Sequence, residues 1–220
     1  MNMRRIKDTF LTSIQSVISF EDRDVLEIGC GDGTRSIQIA TACKQLTALE
    51  LDAARIEHAK AINIARNISY LTGTASQLPF LDQTFDIVFF TLSLHHIPDH
   101  EMSVAIDEAV RVTKPNGHIV FLEPAFEGSF FEGEIRFDAC DGDERRQKAI
   151  AYAAMLGHTQ LKELAELHDE TIFSFDSLED FMETMKPKRG SPYEIQQFLT
   201  ANQFTLSARR RINIFKPQTK

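Results

Sequence analysis

Short, mostly apolar runs alternate with segments of helical spacing between residues 22 and 124. Runs that are apolar throughout are typical of strands whose two faces are both covered by helices. Parallel neighbouring strands need such helices as crossover connections. The order therefore predicts an open, doubly wound α/β sheet that binds its ligand at the carboxyl ends of the strands. The predicted strands are 25–28, 46–51, 68–73, 85–90 and 118–122, and the predicted helices are 34–43, 53–66 and 99–113.

The pattern is less regular on either side of this region. Residues 1–20 carry Ile6, Phe10 and Ile14 at helical spacing, which predicts an N-terminal helix. Alternation along the basic run 209–211 predicts an exposed sheet edge there. The remaining predicted elements are helices at 143–157, 159–168, 178–185 and 193–202, a strand at 171–175, and one or two strands at 204–215.

Three alternate glycines, Gly29, Gly31 and Gly33, follow the first predicted strand. Glycine lets the backbone turn sharply and approach a ligand closely, and the next helix offers unpaired N–H groups and a positive dipole end. Glu50 ends the neighbouring strand, where a carboxylate can accept both hydroxyls of a ribose. Together these features indicate a nucleoside site, although a tight turn without a ligand stays possible.

The same loop departs from the fingerprint of dinucleotide dehydrogenases. That fingerprint, G-x-G-x-x-G, requires a glycine where Thr34 stands. The acidic side chain of Asp32 inside the loop would also oppose a pyrophosphate. The loop therefore favours a ligand without phosphates, and a nicotinamide-dependent dehydrogenase is kept as the less favoured alternative.

Composition narrows the classes of partner. The 220 residues carry 24 basic and 32 acidic side chains, a net charge of −8, which argues against a nucleic acid or an anionic membrane as partner. No apolar run approaches the 18 residues of a membrane span. The three cysteines form no C-x-x-C pair, and with no signal peptide evident we expect a reducing, cytoplasmic location.

Four stretches together resemble the class I S-adenosylmethionine-dependent methyltransferases, in the small-molecule branch that includes the ubiquinone and menaquinone methylases. Residues 27–33 resemble the first motif of that family, and residues 49–52 resemble its ribose-binding strand end. Residues 73–88 are similar to its third and fourth strand region, and residues 111–117 to the turn before its fifth strand. The resemblance covers residues 22–124 and is specific for the family, but not for the substrate.

The resemblance implies S-adenosylmethionine as cofactor and assigns residue roles. Glu27 would help to hold the methionine ammonium, directly or through water, and the carbonyl of Thr91 would face the same group. Glu50 would take the ribose hydroxyls, and Leu51 would pack on the adenine. Thr74 stands where the family often has Asp, so a charge-assisted bond to the adenine is lost unless Ser76 or Gln77 compensates. The implied cofactor-binding residues are Glu27, Gly29, Cys30, Gly31, Glu50, Leu51, Thr74, Ala75 and Thr91.

Methyl transfer from a sulfonium needs alignment of the acceptor more than it needs acid–base groups. A base is required only if the acceptor atom begins protonated. His95 and His96 follow the fourth strand of the core and are the candidate catalytic residues, with bracing of the loop as the alternative for both. No metal is expected, because Glu123 or His100 as a third ligand would fit no standard spacing.

We expect one methyltransferase domain, 1–220, with a mostly parallel, Rossmann-like sheet of seven strands, helices on both faces and a partly helical lid. Phe126, Phe130, Phe131 and Phe137 would form an apolar substrate wall, or pack as ordinary core. The expected parts are an N-terminal helical lid at 1–20, the cofactor-binding core at 22–124, a substrate lid at 125–170 and a C-terminal completion of the sheet at 171–220.

The expected activity is methyl transfer to a small-molecule acceptor. A non-catalytic protein that binds S-adenosylmethionine or its demethylated product for regulation is an alternative of a different class. A homodimer is possible, and the acceptor atom, whether carbon, nitrogen or oxygen, is not determined by the sequence.

Overall fold

The computed structural model describes residues 4–218, which fold around a single eight-stranded sheet. The strands are β1 (Arg4–Asp8), β2 (Asp24–Ile28), β3 (Gln45–Glu50), β4 (Ile68–Thr72), β5 (Phe85–Thr91), β6 (Thr113–Pro124), β7 (Leu161–Ser174) and β8 (Thr205–Pro217). The helices are α1 (Phe10–Gln15), α2 (Thr34–Ala40), α3 (Ala53–Ile62), α4 (Met102–Val112), α5 (Ser129–Phe137), α6 (Arg145–Gly157), α7 (Leu178–Met185) and α8 (Pro192–Ala201), with a 3₁₀ turn at Leu94–His96.

The sheet has a parallel half and an antiparallel half. The strand order is β1-β7-β8-β6-β5-β2-β3-β4, and β6, β5, β2, β3 and β4 run parallel to one another. β8, β7 and β1 complete the sheet through antiparallel pairs. The five strands predicted for the core are confirmed, and the α/β class with them. Because β2 lies between β3 and β5, its carboxyl end is flanked by the ends of both neighbours.

Helices cover both faces of the parallel half, as apolar strands require. On one face, Leu26 and Phe90 pack against Ile106 of α4. On the other face, Val25 and Phe89 pack with residues of α1 and α2. Phe10 and Ile14 supply the α1 side of this second layer and are fully buried.

The prediction of seven strands was wrong, because the N-terminal segment contributes an eighth. Residues 4–8 form β1, which pairs with the end of β7, and within the described residues 4–20 of the predicted helix only Phe10–Gln15 is helical. Ile6, which was assigned to the helical face, is 58% exposed on the edge strand. Residues 1–3 of the predicted helix lie outside the described residues.

The antiparallel half corrects two further predictions. Residues 161–168, expected as part of a helix, belong to the strand β7. Residues 204–215 fall almost entirely within one strand, β8, which is paired on both sides. The basic run 209–211 therefore lies on an inner strand rather than at an edge, and Arg210 is buried.

A third apolar cluster forms beneath α5, α7 and α8. Phe137 packs edge-on against Phe181 and Phe198, with ring centroids 6.4 and 5.3 Å apart. Phe137 is thus a core residue, which confirms the alternative that it packs as ordinary core rather than as a substrate wall. Phe130 and Phe131 instead line a cavity at the carboxyl end of the sheet.

Candidate active site

The glycine loop crosses the end of β3 directly after β2. The backbone N–H groups of Gly29 and Cys30 both donate to the carbonyl of Leu49, at 2.8 and 3.1 Å. Gly29, Gly31 and Gly33 have φ values of +78°, +56° and +78°, in the left-handed region that favours glycine. The three glycines therefore let the chain reverse from strand to helix over the neighbouring strand.

The space around the three glycines shows which of them are needed for packing and which leaves room for a ligand. A Cβ on Gly29 would lie 2.2 Å from the Cβ of Ser93, and one on Gly33 would lie 2.8 Å from the hydroxyl of Tyr70. A Cβ on Gly31 would meet only a guanidinium nitrogen of Arg55, at 3.9 Å. Gly29 and Gly33 are thus needed for packing within the protein, and Gly31 is the one of the three with open space beside it.

Glu50 is held rigidly at the end of β3. One carboxylate oxygen accepts from the backbone N–H of Gly31 at 2.9 Å, and the other accepts from Leu51 and Asp52 at 2.9 and 3.1 Å. The carboxylate therefore fixes the glycine loop relative to β3. The apolar side chain of Leu51 is 72% exposed beside it, so an acidic group and an uncovered apolar surface lie next to each other.

Glu27 lies beneath the loop rather than on its surface. It is fully buried, and its two oxygens accept from the hydroxyls of Ser36, at 2.5 Å, and Thr91, at 2.9 Å. Burial raises the pKa of Glu27 above its usual value, and the two hydrogen bonds offset only part of that effect. Its bonds join β2, α2 and β5, so Glu27 positions Thr91.

Thr74 belongs to a short polar chain that the sequence did not reveal. Its hydroxyl lies 2.9 Å from that of Ser76, which donates to Glu101 at 2.9 Å. Ala75, between them, is 8% exposed. Glu101 therefore brings a carboxylate near the position where the family often has Asp. It lies 25 residues beyond Ser76, so no local motif indicated it.

The side chain of His95 is buried inside the protein. It is 4% exposed, and its Nδ1 forms a short hydrogen bond with the carboxylate of Glu123 at the end of β6. Burial by itself would lower the pKa of His95, but the Glu123 carboxylate outweighs that effect and raises it. Glu123 also accepts from the backbone N–H groups of Ser93 and Leu94, so it braces the whole turn.

His96 differs from its neighbour in both exposure and charge. Its side chain is half exposed, and its Nδ1 lies 3.5 Å from the carboxylate of Glu144. Burial, together with the nearby His95, lowers the pKa of His96. The neutral imidazole is therefore the dominant form of His96 at pH 7, which suits a proton acceptor.

A cavity of about 210 Å³ adjoins the two histidines. Leu92, directly after β5, lines it with a φ of +54°, an unusual value for a residue other than glycine. Lys148 lines it as well, with its ammonium 3.4 Å from Glu144 and 3.9 Å from Glu134. Burial raises the pKa of Glu134 to about 7.

The sequence reasoning missed the part that Glu144 and Lys148 play. Glu144 belongs to the acidic stretch 138–144, whose composition is typical of a solvated face, yet its side chain is only 13% exposed. The i, i+4 spacing of Glu144 and Lys148 is the signal that was available. Among the described residues, the ligand atoms of His95, His96 and Glu144 also lie within 4.8 Å of one another, close enough for a metal ion, but the Lys148 ammonium lies 3.4 Å from Glu144 and would repel such a cation.

A larger and more open cavity, of about 690 Å³, lies over the antiparallel half. Lys7, His168 and Arg211 line it, and it shares Ala125 and Arg209 with the smaller cavity. Neither the glycine loop nor Glu50 is among the residues that line either cavity, and both lie at the ends of the parallel strands β2 and β3. No helix within residues 4–218 combines the length and apolarity needed to cross a membrane.

A parallel sheet with a glycine loop after β2 and an anchored acid after β3 defines a Rossmann-like, nucleoside-binding class of protein. Residues 26–121 match a family model described as a methyltransferase domain. The chain is 28% identical over 127 residues to a ubiquinone/menaquinone biosynthesis C-methyltransferase of Rickettsia peacockii, a match that covers 53% of this chain and 49% of that protein.

A second curated relative and a solved structure are also similar to this chain. The chain is 35% identical over 101 residues to a malonyl-[acyl-carrier protein] O-methyltransferase of Erwinia billingiae, covering 46% of this chain and 39% of that protein. The YcgJ protein of Bacillus subtilis has the same fold, with a TM-score of 0.64 at 16% identity over 95% of this chain and 97% of that one. Residues 26–121 are therefore similar to a methyltransferase domain, while the matched region spans less than half of these curated relatives.

Proposed function

We propose that this protein transfers a methyl group from S-adenosylmethionine to a small-molecule acceptor. The observation that carries the proposal is the meeting of two sites at one edge of the sheet. The glycine loop and Glu50 lie at the ends of β2 and β3, and the cavity beside His96 begins at Leu92, after β5. Thr91, one residue earlier, donates its hydroxyl to Glu27 under the loop, so a side-chain hydrogen bond joins the two sites.

The residues present fit this cofactor. The open space at Gly31 admits a ligand against the main chain, and the Glu50 carboxylate is already oriented by three N–H groups for hydroxyls of a ribose. Leu51 offers the exposed apolar surface that an adenine needs. Glu27 acts on the ammonium end through Thr91, because its own oxygens are engaged. S-adenosylmethionine supplies a methyl group on a positively charged sulfur, which is already activated for displacement.

The cavity beside His96 is the proposed binding site of the methyl acceptor. An acceptor held there in line with the methyl group gains most of the available rate enhancement from alignment and exclusion of water. Where the acceptor atom is protonated, neutral His96 takes the proton, with Glu144 stabilising the resulting charge. His95 does not take this part, because Glu123 holds its Nδ1 and raises its pKa.

A small acceptor is favoured over a nucleic acid by the net charge of −8. A reducing, cytoplasmic setting is supported by Cys30, Cys43 and Cys140, all of which are free thiols. The C- and O-methyltransferases among the matched proteins leave both kinds of acceptor atom open for this chain.

The test is a turnover assay with methyl-labelled S-adenosylmethionine and a panel of small acceptors that carry phenol, carboxylate, amine or activated carbon groups. We expect formation of S-adenosylhomocysteine above the rate of spontaneous hydrolysis with at least one class of acceptor. Tight binding of S-adenosylhomocysteine without turnover across the panel would instead assign the chain to the regulatory, non-catalytic class.

A further inference from the structure

A buried cluster of arginines and aspartates forms part of the wall of the smaller cavity. Arg210 on β8 has a side chain only 2% exposed, and it donates to Asp169 at 2.9 and 2.5 Å and to Asp8 at 2.7 Å. The guanidinium groups of Arg5 and Arg35 lie 3.4 and 3.8 Å from the other oxygen of Asp8. We name these five residues the arginine cluster. Two of them, Arg35 and Arg210, line the cavity.

The arginine cluster carries an excess of positive charge. Three guanidinium groups face two carboxylates. Burial and the neighbouring Arg5 lower the pKa of Arg35 to about 10, so Arg35 is still protonated at pH 7. Glu27 is the further acid that acts on Arg35, but the two form no ion pair among the described residues, and the hydroxyls of Ser36 and Thr91 already occupy its oxygens. A buried charge without a partner is costly, so this arrangement is stabilised by an incoming anion.

Unused hydrogen-bond donors point to the same conclusion. Within residues 4–218, the buried Nη1 of Arg210 and Nε of Arg35 have no hydrogen-bond partner. The other two basic side chains that line the cavity are already paired, since Arg209 binds Glu127 at 2.6 Å and Lys148 lies between Glu134 and Glu144. Among the described residues that line the cavity, Arg35 and Arg210 are therefore the ones that keep a buried N–H donor without a hydrogen-bond partner.

The rest of the lining indicates what the anion is attached to. Phe130 and Phe173 stack with centroids 4.6 Å apart and line the cavity with Phe131. An apolar or aromatic body fits such a surface, and His96 with Glu144 supplies the polar lining at the strand ends.

We propose that the cavity selects acceptors that carry an oxyanion, a carboxylate or phosphate on an apolar body, bound by Arg35 and Arg210. The planar guanidinium presents parallel N–H donors that match the two oxygens of such a group. The identity of the ligand as the acceptor rests on the proposed methyl transfer. A second group could supply the same oxyanion, namely the methionine carboxylate of the cofactor. Arg35 is the second residue of α2, directly after the glycine loop, and so lies next to the proposed cofactor site.

The test is a calorimetric titration of the full chain, with and without saturating S-adenosylhomocysteine. Benzoate and phenyl phosphate are the anionic probes, and benzamide is the neutral isostere. Arg35→Gln removes the charge, Arg35→Lys keeps it, and Arg209→Gln is the matched control, because Arg209 lines the same cavity but is paired with Glu127. Thermal unfolding of each variant confirms that it is folded.

We expect benzamide to bind at least tenfold more weakly than benzoate to the saturated protein. Arg35→Gln should weaken benzoate and phenyl phosphate at least tenfold, Arg35→Lys should lose less, and Arg209→Gln should stay within twofold of the wild type.

Equal affinity for benzamide and benzoate, no binding of either anion at millimolar concentration, or no effect of Arg35→Gln would overturn the proposal. A tenfold loss of S-adenosylhomocysteine affinity in Arg35→Gln, with benzoate unaffected, would assign the anion to the cofactor and overturn selection of the acceptor. If S-adenosylhomocysteine itself does not bind, the methyltransferase proposal fails, while the titrations without it still decide whether Arg35 binds an oxyanion.

Discussion

At the scale of single residues, the site depends on side chains whose partners are far away in sequence. Glu27 and Glu50 were predicted from local motifs, but their surroundings were not. The hydroxyl of Thr91 reaches Glu27 across 64 residues, and Ser93 fills the space beside Gly29 across the same two strands. A motif indicates which residues the chemistry needs, while tertiary packing decides which of them remain accessible to a ligand.

Gly29→Ala tests the packing role of the first glycine. The new methyl group would meet Ser93 at 2.2 Å with the backbone at a φ of +78°, so we expect a loss of about 3 kcal/mol in the free energy of unfolding. Gly31→Ala is the control, with a positive φ but open space, and should lose about 1 kcal/mol. Urea denaturation measures both, and equal losses would contradict the assignment.

His96→Gln tests the proposed base. For an acceptor that begins protonated, we expect methyl transfer to fall by about 10²- to 10⁴-fold while the affinity for S-adenosylhomocysteine stays within twofold. His58→Gln, on the exposed surface of α3, is the control and should retain full activity. Because the pKa of His96 is lowered, the loss of wild-type rate on acidification should be centred below pH 6.5, the ordinary value for histidine. Unchanged turnover in His96→Gln would remove it from the mechanism.

At the scale of elements, prediction succeeded where the pattern was local and unambiguous. The helix predicted at 178–185 is confirmed as α7, and the hydroxyl of Ser177 caps its start by accepting from the backbone N–H of Asp180 at 3.2 Å. β7 was misassigned because Leu161, Leu164 and Leu167 also repeat at helical spacing. An irregularity in its pairing with β8 interrupts the strict alternation that would have revealed a strand.

The N-terminal strand had no local signal that could identify it. β1 is defined by its pairing with β7, from Arg4 opposite Ser174 to Asp8 opposite Thr171. Such pairing across more than 160 residues depends on the completed sheet rather than on residues 4–8 themselves. The sequence therefore predicted the parallel half and the α/β class, but not the outermost strand of the antiparallel half.

Ser191→Ala tests a helix start that acts through local hydrogen bonds. Ser191 caps α8 in a reciprocal box, with its hydroxyl accepting from the N–H of Glu194 and the Glu194 carboxylate accepting from the N–H of Ser191. We expect a loss of about 1 kcal/mol in the free energy of unfolding. Ser103→Ala, on the exposed face of α4, is the control and should change stability by less than half of that. Equal effects of the two substitutions would argue against the cap.

At the scale of the whole molecule, buried acids link folding to pH. The folded protein holds the proton of Glu134 up to about pH 7, whereas the unfolded chain releases it near 4.5. Folding therefore binds a proton between these values, and the contribution of Glu134 to the free energy of unfolding falls as the pH rises, by up to about 3 kcal/mol.

Glu134→Gln should remove this dependence and give a flatter curve of unfolding free energy between pH 5 and 7.5. Glu132→Gln, exposed on the same helix α5, is the control and should leave the wild-type slope unchanged. Urea denaturation at several pH values provides the comparison. An identical slope in Glu134→Gln and wild type would show that this carboxyl titrates normally.

The account depends most directly on a nucleoside held by the glycine loop and Glu50, and the most direct measurement is calorimetric titration with S-adenosylhomocysteine. We predict one site per chain in the wild type, and an affinity about 10- to 100-fold weaker in Glu50→Ala, because the ribose hydroxyls lose their acceptor. Glu57→Ala, an exposed acid on α3, should bind as the wild type does. No binding by the folded wild type, or equal affinity in wild type and Glu50→Ala, would contradict the account.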